Sequence, residues 1–144
     1  MSALTMDQID KLQPDLFEAY IAALYEKQSF KTYLTPHSND KGVDVVAMGK
    51  IENYLIQTKQ SKSIVGNDAV QEIYTAKNYY ENKFKEQFKL IVIANNDFSS
   101  SAQTLADINQ VKLMGRSLLA TMNSQNDVAI QDVNRHEAQR MKTV

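Results

Sequence analysis

The sequence predicts an α/β sandwich, a mixed sheet of about five strands flanked by helices. Three observations predict it. A helical apolar stripe opens the chain, two short apolar runs joined by a turn follow, and helical and strand-like segments then alternate.

Residues 14–28 are predicted as the opening helix. Pro14 suits the first helical position, and Asp15 and Glu18 occupy the first turn, where the helix dipole favours acids. Phe17, Tyr20, Ile21, Leu24 and Tyr25 form the buried stripe. Phe30 to Thr35 is expected as a strand, and Pro36 to Gly42 as a loop of turn formers. Val43–Met48 and Tyr54–Gln60 are expected to pair as a hairpin around a turn at 49–53. Asp68 is the expected cap of a long helix reaching Phe84, buried through Val70, Ile73, Tyr74, Tyr80 and Phe84. The near-continuous apolar run Phe88–Ala94 reads as a strand buried on both faces. Ser100 and Gln103 fit a capping box for the next helix. A short strand over Val111–Met114 and a brief helix over Arg116–Met122 complete the pattern.

The 144 residues suffice for one domain with a real core. Residues 1–122 are expected to form it, and 123–144 a polar tail that is mobile or packs on another chain, with His136 solvated. The chain has no cysteine, which fits a reducing compartment and excludes both a disulfide framework and a thiolate metal site. No apolar run approaches membrane-spanning length, and the first residues lack a signal-peptide pattern, so the cytoplasm is the expected location. With a net charge of −1, any nucleic-acid binding must use a local patch. The stretch carrying Lys50, Lys59, Lys62, Lys77, Lys83, Lys85 and Lys89 is one candidate. Glu52, Asp68, Glu72, Glu81 and Glu86 interrupt it, as on an ordinary solvated face.

Asp44 is the residue least explained by packing, an acid set among valines where an unpaired charge is costly. The hairpin brings it toward Gln57-Thr58-Lys59, and Gln57 and Lys59, two apart, share a face. A carboxylate, an amide oxygen and an ammonium converging there suit a divalent metal and a phosphate. Mg²⁺ takes oxygen ligands and keeps several waters. Asp44, the Thr58 carbonyl and the Gln57 side-chain oxygen are candidate ligands, with Glu18 holding a metal-bound water or a second metal. Lys59 would orient or help deprotonate the attacking water and offset developing charge. Plainer roles fit the same residues. Asp44 and Lys59 suit a cross-strand ion pair, Gln57 a surface amide, Glu18 a first-turn residue, and Asn39 and Asp40 turn positions. His37 reads as a loop histidine, with no neighbouring set of zinc ligands.

Taken together, Leu12–Glu18, Thr35–Val45 with its Asn39-Asp40-Lys41-Gly42-Val43-Asp44 turn and acid, Leu55-Ile56-Gln57-Thr58-Lys59, and the later run Ile91–Ser99 resemble the Mrr-like restriction endonucleases. These belong to the PD-(D/E)xK nuclease superfamily, here in the variant with glutamine in place of the second acid. The resemblance covers residues 12–122. It implies a restriction-endonuclease-like three-layer sandwich and metal-dependent cleavage of DNA. Asp44, Gln57 and Lys59 would be the catalytic trio and Glu18 a supporting acid, with Mg²⁺ as cofactor and Mn²⁺ able to substitute. DNA contacts are expected from Asn39, Lys41 and Lys62. Thr58 stands where relatives often carry cysteine. Such enzymes usually carry a separate DNA-reading module, for which 144 residues leave no room, so the chain is expected to be a lone nuclease domain, a subunit or a fragment, with DNA and a homodimer mate or a recognition subunit as partners. The alternative is a catalytically weak nuclease-fold module that binds DNA or mediates assembly, motivated by the net acidity and by the weaker ligand at Gln57.

Overall fold

Thr5 starts the first helix, α1 (Met6–Asp10), through a capping box with Gln8 that satisfies two terminal N–H groups. The computed structural model describes residues 2–38 and 42–144. Pro14 follows at the start of α2 (Pro14–Glu26), whose residues from Ala19 to Tyr25 are all buried. Three strands come next, β1 (Lys31–Leu34), β2 (Val45–Met48) and β3 (Asn53–Lys59), then α3 (Asp68–Phe84) and β4 (Lys89–Ala94). The chain continues through α4 (Ser100–Ile108), β5 (Val111–Met114), α5 (Arg116–Gln125) and α6 (Ile130–Ala138).

The strands lie in the order β1-β2-β3-β4-β5. The first two pairings are antiparallel, and β3–β4 and β4–β5 are parallel. Residues Leu90 to Ala94 of β4 are all buried, as a strand covered on both faces requires. One core joins α1, α2, α5 and α6 to the sheet through Ile9, Phe17, Leu24, Ile56, Ile93, Leu119 and Val133. The other joins α3 and α4 to the opposite face through Val46, Leu55, Ile73, Tyr80, Val92 and Ala102. This is the expected three-layer α/β sandwich. Among the described residues no helix is long and apolar enough to cross a membrane.

Four local expectations are corrected. The cap of α3 position is Asn67, with Asp68 inside the helix. Ser99, rather than Ser100, caps α4, its hydroxyl accepting the Ala102 N–H at 3.1 Å. Residues 123–144 fold onto the domain rather than hang as a loose tail. They extend α5, form α6 and pack on α2, with Val128 and Val133 fully buried. His136 is buried beside Glu26, its Nε2 3.0 Å from the carboxylate.

The entry to β2 departs from a plain strand. Val45 is the register partner of Ile56, yet the Asp44 N–H also donates to the Ile56 carbonyl at 2.8 Å. Two residues therefore oppose one, the pattern of a β-bulge, which re-aims side chains beside functional sites. Val43 accordingly joins Val46 in the α3-side core, while Val45 and Ala47 join the α2 side. Asp44 escapes both.

Gly42 sets how closely this turn meets α3. Its φ is +80°, and a Cβ there would lie 2.4 Å from the Glu72 carbonyl oxygen. Only glycine accepts both the left-handed backbone and the contact. We expect Gly42→Ala to destabilise the fold by roughly 2–4 kcal/mol, combining backbone strain with overpacking. Urea denaturation measures this, and an unchanged midpoint would show that the turn relaxes freely.

Candidate active site

The site is assembled where the bulge meets the end of β3. Asp44 Oδ2 accepts the Thr58 N–H at 2.8 Å and the Thr58 hydroxyl at 3.0 Å. Thr58 therefore contributes more than a carbonyl, since its own side chain fixes the acid. Thr35, buried between β1 and the turn, holds the backbone of Asp44. Its N–H donates to the Asp44 carbonyl at 3.0 Å and its hydroxyl to the Val43 carbonyl at 2.7 Å.

Burial pushes the Asp44 carboxyl up from its ordinary range. The two Thr58 hydrogen bonds, Lys59 and Arg140 act in the opposite direction without cancelling it. Lys59 is thus close enough for its charge to act on Asp44. Its Nζ lies 3.5 Å from Glu72 Oε1 on α3. The plain Asp44–Lys59 ion pair is not what forms.

Glu72 also receives the Gln57 side-chain Nε2 at 3.1 Å. A carboxylate offers only acceptors, so it turns the amide nitrogen toward itself and the amide oxygen away. Gln57 Oε1 is buried and, among the described residues, has no hydrogen-bond partner. An orphaned buried acceptor is costly unless something electropositive completes it. This tests the fit of a divalent cation on the chain's own chemistry. Asp44, Gln57 Oε1 and the Thr58 carbonyl are hard oxygen donors, the kind Mg²⁺ takes. Among the described residues no set of three carboxylates or imidazoles is arranged to hold a metal ion, so an ion held here would rely also on amide, carbonyl and water oxygens.

Glu18 reaches the same pocket from α2. Burial, and then the Asp44 charge, raise its carboxyl from an ordinary 4.5 to about 7, against the lowering effect of Arg140. Asp15 adds a smaller upward push. Glu18 Oε1 is already bound by Arg140 Nη1 at 2.9 Å. Because the fold disfavours its ionised form, the Glu18 contribution to stability is fully present below pH 4.5 and is lost as the pH rises to about 7. Its full size is roughly 3 kcal/mol. We expect Glu18→Gln to melt higher than the native protein at pH 8, with the difference vanishing near pH 4. Parallel melting curves across that range would contradict the assignment.

The structure brings Glu18, Asp44, Gln57, Thr58 and Lys59 into one neighbourhood. Lys62 lies exposed in the loop beyond β3, with no contact tying it to them. Asn39 and Lys41 lie outside the described residues. The basic stretch does not form one patch. Lys77, Lys89 and Lys112 line a cavity of about 570 Å³ with Tyr54 and Leu90, at the starts of β4 and β5, the far end from Lys59. Glu72, Thr35 and Arg140 were not anticipated as site residues. The glycine at 42, packed against Glu72, is the one sequence feature that points toward α3.

The fold is of the restriction-endonuclease-like class. The chain belongs to the Mrr-type restriction endonuclease family, whose catalytic-domain model, Mrr_cat, matches residues 9–123. Family membership supports a nuclease function. The fold is similar to that of a protein of unknown function, AF1548, with a TM-score of 0.60 and 24% identity over 72% of this chain. It is also similar to the MspJI restriction endonuclease in complex with a 27-mer oligonucleotide, at 0.55 and 19% over 88% of this chain. The EndoMS–dsDNA2 complex matches at 0.52 and 17% over 68%. At these identities the likeness is one of fold. The chain spans 58%, 31% and 43% of those three chains, respectively. No curated protein matches it.

Proposed function

We propose that this chain is the catalytic module of a divalent-metal-dependent endodeoxyribonuclease, using Mg²⁺ or Mn²⁺ to hydrolyse DNA phosphodiester bonds. The observation that carries this reading is the orphaned Gln57 Oε1, buried at the end of β3 while Glu72 holds the Nε2 of the same amide. Asp44, Gln57 Oε1 and the Thr58 carbonyl would hold the ion. When bound, the ion polarises the scissile phosphate and acidifies the attacking water. Thr58 and Thr35 keep Asp44 in place before substrate arrives, so little reorganisation remains for the reaction. Lys59, held by Glu72, orients the attacking water and offsets the charge that gathers on the phosphoryl oxygens. Glu18, which feels the Asp44 charge, is a supporting carboxylate. Lys62, and Lys41 and Asn39 in the preceding turn, are the proposed backbone contacts to DNA. Cutting both strands calls for a second copy of the chain, and sequence choice calls for a DNA-recognition element besides this domain.

Supercoiled plasmid incubated with the purified protein and Mg²⁺ or Mn²⁺ tests the proposal. Nicked and linear DNA is the expected product, lost on chelation. If DNA shifts in a gel but remains intact under every divalent ion, the chain is a binding module instead.

A further inference from the structure

We propose that Arg140 is the resident second cation of the active site, occupying the place beside Glu18 where a second divalent ion would otherwise bind. The inference rests on the metal-site reading above and adds that Glu18 is not a metal ligand in this chain.

Arg140 comes from the segment beyond residue 123, outside the part that matches the family. That segment is fixed by α6 against α2 and by the Met141 N–H, which donates to the Leu34 carbonyl of β1 at 3.0 Å. The Arg140 side chain is only 4% exposed. A buried guanidinium needs partners for all its N–H groups, and each of them has one. Nη1 donates to Glu18 Oε1 at 2.9 Å and to the Thr35 carbonyl at 2.8 Å. Nη2 donates to the Asp15 carbonyl at 3.2 Å and to Glu137 Oε1 at 2.8 Å, and Nε donates to Glu137 Oε2 at 3.1 Å. His37 closes the outer side, with Nε2 2.9 Å from Glu137 and Nδ1 3.3 Å from Asp15.

This arrangement is already neutralised. An ion bridging Asp44 and Glu18 would have to displace the guanidinium, strand its charge in the interior, and leave the Thr35 carbonyl without that donor. Thr35 also positions Asp44, so the same arginine braces the ligand it faces. The contacts of Arg140 do not include Gln57, whose buried amide oxygen has no partner among the described residues.

Counting Mn²⁺ per chain by equilibrium dialysis, with free ion read by electron paramagnetic resonance, decides the matter. Arg140→Met should bind one more Mn²⁺ per chain than the native protein, and Arg140→Lys should not. Glu18→Gln should leave the native count unchanged. An unaltered count in folded Arg140→Met overturns the proposal, even if its melting temperature falls. So does loss of an ion in Glu18→Gln, which decides the question if Arg140→Met does not fold. Asp44→Asn tests the underlying reading separately. If it retains the native ion, the Asp44 metal site is wrong, while the gain or its absence on removing Arg140 still judges the arginine.

Discussion

Asp44→Asn lowers DNA cleavage by about 1,000-fold or more, equivalent to roughly 4 kcal/mol of lost transition-state stabilisation, yet raises the melting temperature of the metal-free protein. Both effects follow from one environment. Asparagine keeps the shape and an oxygen that accepts from the Thr58 N–H and hydroxyl, so the bulge and its hydrogen bonds survive. What disappears is the negative charge. Burial raises the Asp44 carboxyl, so its ionised form is disfavoured in the fold relative to the unfolded chain. Such a group contributes stability below its unfolded pKa, and that contribution is lost as pH rises. At neutral pH the aspartate is therefore a net cost, and the amide removes it. Each kcal/mol recovered corresponds to about 2–4 °C for a domain of this size. Plasmid cleavage and calorimetry on the same preparation measure the two effects. If the variant is both less stable and fully active, Asp44 is a structural anchor and the chemistry lies elsewhere.

That opposition between stability and activity explains why Asp44 was visible in the sequence. An acid flanked by valines violates strand patterning, and the violation survives in the fold as a bulge. Gln57 and Lys59 were visible for a related reason, being long polar side chains on one face at the end of a strand that runs through Leu55 and Ile56. β4 was legible from its uninterrupted apolar run, and α2 from its helical stripe. The residues that complete the site carry no such local mark. Glu72 is one of several acids on a solvated helix face and gains its role only because Gly42 lets the turn approach α3. Thr35 ends an unremarkable strand. Arg140 and α6 were missed because the segment has few large apolar residues. The segment gives the α2-side core only two valines, Val128 and Val133, and no bulky side chain. Periodicity reports how a segment meets its own core. It does not report which distant charge meets which.

Lys59→Met lowers cleavage by about 100- to 1,000-fold, the scale of removing one preorganised group that stabilises transition-state charge, with little effect on folding. Methionine preserves the length and the apolar stem of a side chain that is partly exposed, so packing is largely retained. Glu72 should behave differently. Its Oε2 faces the Gln57 amide and its Oε1 faces Lys59, so it acts on both without reaching the substrate. Glu72→Gln replaces a pure acceptor with a group that can also donate. The Gln57 amide is then free to turn over, and Lys59 loses its anchor. A loss of about 10- to 100-fold is expected, as for residues that orient a metal ligand, expressed largely as a higher Mg²⁺ requirement. Single-turnover rates measured against Mg²⁺ concentration separate the two variants. Lys59→Met should remain slow at saturating Mg²⁺, whereas Glu72→Gln should recover much of its rate. If Glu72→Gln leaves the Mg²⁺ dependence unchanged, Gln57 Oε1 is not held by Glu72 for a cation, and the orphaned oxygen loses its explanation.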